Sequence, residues 1–175
     1  SKNNQPSGTQ GADKRIEALE VRIVPKNSLA LSSYNNFYNP KNKPIPETLS
    51  FQYSAHASSL GWLASVKSGE LAGTTQQSRA IEAIRINNLS SKIGDSVFLQ
   101  CSAYSAVSGW INDVATGGVC GTTGKSEPLK ALKLQLNGQN ASQYSLTFRA
   151  HIATVGWTPW KNSGETVGQP AGTSL

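Results

Sequence analysis

The segment FQYSAHASSLGW at residues 51–62 returns as LQCSAYSAVSGW at 99–110 and as LTFRAHIATVGW at 146–157. The Gly-Trp pair that closes each one stands at 61–62, 109–110 and 156–157, at spacings of 48 and 47 residues. Self-similarity at such a period marks an array of one supersecondary unit and takes precedence over any local reading. Within the segments Phe51, Tyr53 and Ala55 match Leu99, Cys101 and Ala103, then Leu146, Phe148 and Ala150. Apolar side chains at every second position make a strand with one buried face.

Downstream of each Gly-Trp come a turn at Gly69, Gly117 or Gly164 and a short apolar stretch ending at Gly73, Gly121 or Gly168. Glycines at such points supply left-handed backbone or close approach. AIEAIRI (80–86) and PLKALKL (128–134) follow as a fourth strand. The third copy stops at Leu175 without one, and RIEALEV at 15–21 supplies the match, with Ile16-Glu17-Ala18-Leu19 superposing on Ile81-Glu82-Ala83-Ile84. The N-terminal strand is therefore expected to complete the third repeat and leave no open sheet edge.

The resulting expectation is a single all-β domain over 14–175, a threefold pseudosymmetric closed ring of four-stranded repeats. The repeats run about 51–87, 98–136 and 145–175 plus 14–24. Twelve strands in three copies fit a β-prism, the preferred reading, and also a β-trefoil. Residues 1–13 are polar and lack apolar periodicity, so they are expected to form a flexible tail. Residues 25–50, with four prolines and Tyr34, Phe37 and Tyr38, are too long for a hairpin connection and read as an insertion loop. With Ser1 first and no methionine, the chain reads as a processed piece.

Sixteen Lys and Arg against ten Asp and Glu give a net charge of +6, which favours anionic partners such as acidic glycans or wall polymers. The basic residues are scattered singly, which speaks against nucleic acid. No apolar run approaches the 18 residues of a membrane span.

The assembled motifs, Tyr-x-Ala-His, Gly-Trp, Gly-x-x-Ala-Gly-Thr-Thr and Ile-Glu-Ala-Ile, resemble the clostridial hydrophobic repeats with a tryptophan, the ChW repeats. The likeness covers about 15–24 and 51–175, and implies a secreted or surface protein whose repeats serve binding or adhesion. The second repeat departs from it, with Tyr104 for His and Lys130 for Glu. The Gly-Thr-Thr to Ile-Glu-Ala-Ile segment also resembles the Gly-rich loop and closing strand of jacalin-type lectins, which are β-prisms whose acidic residue there helps to bind sugar. Ser78 stands where that lectin motif has glycine.

His56 recurs as His151 and becomes Tyr104, while Glu82 recurs as Glu17 and becomes Lys130. Joint replacement points to contact between the two positions or to a shared ligand. A cross-strand structural pair and a binding site both remain open. One His and one carboxylate per repeat are too few for a metal site. Trp62, Trp110 and Trp157 persist in all copies, as an indole packed on its own strands would, with a sugar-stacking face as the alternative. Trp160 stands where the other copies have Ser65 and Asp113, and is expected to be an exposed aromatic contact. Cys101 and Cys120 should face inward in one repeat, either bridged or as two buried thiols.

A glycosidase generally needs two carboxylates flanking the scissile bond, and no nucleophile elbow or zinc-protease motif is present. No enzymatic activity and no cofactor are expected. The residues proposed to bind ligand are His56, Trp62 and Glu82, then His151, Trp157 and Glu17, with Trp160. The functional expectation is a non-catalytic, lectin-like carbohydrate- or surface-binding module. The alternatives are an adhesion module without a sugar site and the targeting domain of a larger toxin or wall hydrolase.

Overall fold

The computed structural model describes residues 14–26, 49–89 and 97–170. The expected tail at 1–13, most of the insertion with Tyr34, Phe37 and Tyr38, and residues 171–175 lie outside the described residues. All regular structure described is β apart from one 3-10 turn at Ala141–Gln143. In chain order the strands are β1 (Ile16–Pro25), β2 (Phe51–Ala57), β3 (Gly61–Trp62), β4 (Val66–Lys67), β5 (Leu71–Gly73), β6 (Ile81–Leu89) and β7 (Phe98–Ser105). They continue with β8 (Gly109–Ala115), β9 (Val119–Gly121), β10 (Leu129–Asn137), β11 (Tyr144–Ile152), β12 (Gly156–Trp157), β13 (Lys161–Asn162) and β14 (Thr166–Gly168).

The strands make three antiparallel sheets, none closed into a barrel. The first holds β2, β3, β4 and β6 with β9; the second holds β7, β8 and β10 with β14; the third holds β1, β11, β12 and β13 with β5. Twelve strands were expected and fourteen are described, because the strand that follows each Gly-Trp is continuous only in the second repeat. In the third copy Pro159, which lacks an N–H to offer the ladder, lies in the gap between β12 and β13.

Each sheet takes its short third strand from another repeat. β5 of the first repeat pairs with β1 in the third sheet, β9 of the second pairs with β6 in the first, and β14 of the third pairs with β10 in the second. The sequence showed the third strands but not this exchange. The N-terminal strand stands where the repeat required it: β1 runs antiparallel to β11 from Ile16 opposite Ile152 to Pro25 opposite Tyr144.

The alternating apolar positions face inward. Phe51, Tyr53, Ala55, Leu99, Cys101, Ala103, Leu146, Phe148 and Ala150 are all buried, as are Leu19, Val21 and Ile23 of β1 and their counterparts Ile84, Ile86, Leu132 and Leu134. One cluster joins all three sheets, and burying each large side chain in it contributes about 1.5–3 kcal/mol.

The slot shared by Tyr53, Cys101 and Phe148 is filled in three ways. The Tyr53 hydroxyl donates to the Glu70 carbonyl and accepts from Val21 N–H at 3.0 Å, so a first-sheet side chain is tied to the third sheet. Cys101 of β7 is disulfide-bonded to Cys120 of β9, with Cα atoms 6.1 Å apart, which links the second sheet to the first. Phe148 is buried and apolar, as is Val167 in the slot that corresponds to Cys120.

Candidate functional site

The Glu/Lys position of each repeat is a β-bulge. In the first sheet His56 faces Ala83 and Ala57 faces Ile81, so Glu82 is the extra residue between them. Glu17 is the extra residue between Ile16 and Ala18 in the third sheet, and Lys130 between Leu129 and Ala131 in the second. A bulge unpairs one residue from the ladder and re-aims its side chain. The displaced carbonyls find donors on the exchanged strands: Thr74 N–H donates to Glu17 O at 2.9 Å, Thr122 N–H to Glu82 O at 3.0 Å and Gln169 N–H to Lys130 O at 3.0 Å.

This packing explains the glycine that ends each third strand. Gly73, Gly121 and Gly168 all have positive φ, and a Cβ there would come within 2.4, 2.3 and 2.1 Å of the Glu17, Glu82 and Lys130 carbonyl oxygens. Each bulge is thus buttressed by a neighbouring repeat.

On this frame the structure brings together the residues expected from sequence. His56 Nδ1 lies 3.0 Å from Glu82 Oε2, and His151 Nδ1 lies 3.4 Å from Glu17 Oε2. In both pairs the two atoms are close without meeting the geometry of a hydrogen bond. Both carboxylates are buried, at 5% and 6% exposure for Glu82 and Glu17, which makes their partners matter more than at an open surface. His56 faces Trp62 in the ladder and His151 faces Trp157. The rings meet edge to face, with centroids 5.4 and 5.5 Å apart and both interplanar angles 79°. In the second sheet Tyr104 and Trp110 are tilted by 57° at 5.5 Å, with Lys130 at the bulge.

The indoles are not sealed in the core: Trp62 and Trp110 are 36% and 37% exposed. Each of the two His-bearing clusters also holds a guanidinium that sequence reading missed. Arg85 Cζ lies 4.6 Å from the Trp62 ring centroid, and Arg149 Cζ lies 4.5 Å from that of Trp157. Arg85 is on the fourth strand of its repeat and Arg149 on the first, so repeat alignment hides their equivalence. Cross-strand register would have exposed it, since Arg85 faces Ser54 and Arg149 faces Glu20.

Trp160 was expected to stand exposed, and it is partly covered. Arg22 and Arg149 lie over it at 4.2 and 4.7 Å, and Glu20 holds Arg149 through Nε and Nη2, both at 3.0 Å. Glu82 also lines a polar cleft of about 310 Å³ with Arg15, Ser58, Ser59, Ser78 and Ser126. Among the described residues no group of three metal-ligating side chains converges, and no helix is long and apolar enough to cross a membrane.

No curated protein and no solved structure shows detectable similarity to the chain. Residues 1–25, 56–88 and 108–138 match the family model described as clostridial hydrophobic W, and the first of these stretches contains β1. Repeats of this kind are associated with surface or cell-wall proteins. Three matches spread over half the chain show that it belongs to the clostridial hydrophobic W (ChW) family.

Proposed function

We propose that the chain is a non-catalytic, lectin-like module of a secreted or surface protein that binds carbohydrate on a cell surface or wall. Its two binding sites are His56, Trp62 and Glu82, and His151, Trp157 and Glu17, the second flanked by Trp160. The single observation that carries the reading is the repetition of one side-chain geometry, a bulged carboxylate beside an imidazole edge-on to a part-exposed indole. It occurs in two sheets, while the second sheet keeps the bulge and the indole and replaces the imidazole and the carboxylate together, by Tyr104 and Lys130. A carboxylate accepts paired hydrogen bonds from vicinal hydroxyls while an indole face takes the apolar side of a sugar ring. Lysine at the bulge only donates, so the second sheet should be silent. The cyclic strand exchange supports a single domain arranged as a threefold prism.

Glycan-array and cell-wall pull-down measurements, with and without competing free sugar, test the reading. Glu82→Lys and Glu17→Lys should each remove one site, and the double variant should lose wall binding while keeping the wild-type melting temperature. Tyr104→His with Lys130→Glu should create a third site. Wall binding that free sugar does not compete would overturn the carbohydrate reading. It would favour protein adhesion, to which the exposed hairpin-tip residues Leu60, Val107 and Val155 lend support.

A further inference from the structure

The two His–Trp–Glu clusters differ in what faces their arginine. In the third sheet Glu20 takes both Nε and Nη2 of Arg149, and Trp160 lies against the same guanidinium. In the first sheet the residue opposite Arg85 is Ser54, and Ser65 stands where the third repeat has Trp160. The Ser54 and Ser65 hydroxyls are both engaged by the Asn87 side-chain amide, at 3.2 and 2.6 Å. Among the described residues Arg85 therefore rests on Trp62 with no carboxylate beside it, and its Nε is buried without a hydrogen-bond partner.

A buried donor without an acceptor is destabilising, more so when it is charged, and such groups in folded proteins call for an explanation. Guanidinium nitrogens form a rigid fork that matches the paired oxygens of a carboxylate or phosphate. Stacking on an indole holds that fork in place before any ligand arrives. In the third sheet an internal carboxylate fills it.

We propose that Arg85 is an oxyanion subsite beside the His56–Trp62–Glu82 cluster, taking a carboxylate or phosphate group carried by the bound polymer in the position that Glu20 holds against Arg149. The first site is then selective for acidic units and the third for neutral ones. The inference rests on reading these clusters as binding sites, and it gives the chain's net charge of +6 a specific residue through which to act.

The test is an NMR titration of the full chain in which the arginine Nε–H resonances are followed. Sodium glucuronate and glycerol 1-phosphate serve as the two oxyanion probes, glucose as the neutral one and sodium chloride as the screening control. The Arg85 Nε–H should shift saturably with glucuronate, with glycerol phosphate or with both, which also tells carboxylate from phosphate recognition. Arg149 should not move. Arg85→Gln should weaken anion binding about tenfold or more. Ser54→Glu, which places an internal carboxylate opposite Arg85, should do the same, and the two variants fail differently if either disturbs folding. An Arg85 resonance that does not saturate, or that responds equally to glucose or sodium chloride, overturns the proposal. In a Glu17→Lys background, which leaves only the first site, wall binding that survives Arg85→Gln but is lost with Glu82→Lys would overturn the subsite and leave the carbohydrate reading standing.

Discussion

The first and second sheets share a backbone and differ in the sign of their charges. In the first, Arg79 donates to the Ser58 carbonyl at 3.2 Å and pins the turn between β2 and β3, and three residues later Glu82 forms the bulge. In the second, Glu127 holds the matching turn by accepting from Ser105 and Ser108 hydroxyls at 3.0 and 2.5 Å, and Lys130 forms the bulge. Cation and anion have changed places along one strand entry, yet the turn is anchored and the bulge kept in both. The fold thus requires a polar anchor and a bulge but not a particular charge. The His–Glu pairs of the first and third sheets are thus a difference in side chains carried on a common frame, as the two proposed binding sites require.

The severest way to break the comparison is at the third sheet, which borrows from outside its own repeat what the first and second own. A chain beginning at Lys14 retains β1 and should melt as the full chain does, whereas one beginning at Pro25 loses Leu19, Val21 and Ile23 from the core. Circular dichroism and near-ultraviolet spectra of the shorter chain should show no cooperative transition. A normal melt would refute the completion of the third repeat by β1.

Next in size is the Cys101–Cys120 bond, which has no counterpart in the other repeats. Closing a loop of this length stabilises by about 3 kcal/mol, so reduction or a double Cys→Ala variant should lower the melting temperature by roughly 6–12 °C. Two alkylated cysteines in non-reduced protein would contradict the bond.

Tyr53 fills the same slot in the first repeat, and burial pushes its hydroxyl up to about 12 from an ordinary 10. The folded state holds this proton more tightly than the unfolded chain, so its contribution is complete below pH 10 and is lost as pH rises towards 12. The loss across that window is on the order of 2–3 kcal/mol, and Tyr53→Phe should remove that slope from denaturant titrations. An unchanged alkaline slope in the variant would count against the Tyr53 bridge.

The smallest effect lies on the acid side and distinguishes the two turn anchors. The Ser108 hydroxyl, with Ser105, holds the Glu127 carboxyl below its ordinary value. Its contribution is present above about pH 4.5 and disappears as pH falls through the lowered value. Glu127→Gln should flatten this part of the stability profile, while Arg79→Gln should leave it unaltered.

The repeat period and the twofold alternation within strands made the sheets, the buried faces and the role of β1 legible, because both are properties of local sequence. The His, Trp and Glu positions were legible for the same reason, as three copies of one design can be compared within the chain. Strand exchange was not, since a three-residue stretch such as Leu71–Gly73 carries no mark of which sheet it joins. The bulges were hidden too, because an extra residue is defined only against its partner strand. Arg85 and Arg149 escaped because they occupy different repeat positions and meet only through register.

The pairing of Ile16 with Ile152 also orders events in time. A chain made from its N-terminus produces β1 long before β11 exists. β5 at Leu71–Gly73 can cover one edge of β1 early, but the other edge stays open until Tyr144–Ile152 of β11 has been made. Such a strand is a template for pairing with another chain. Its charged residues Glu17, Glu20 and Arg22, which hold His151, Arg149 and Trp160 in the fold, are of the kind that discourages such pairing at an open edge.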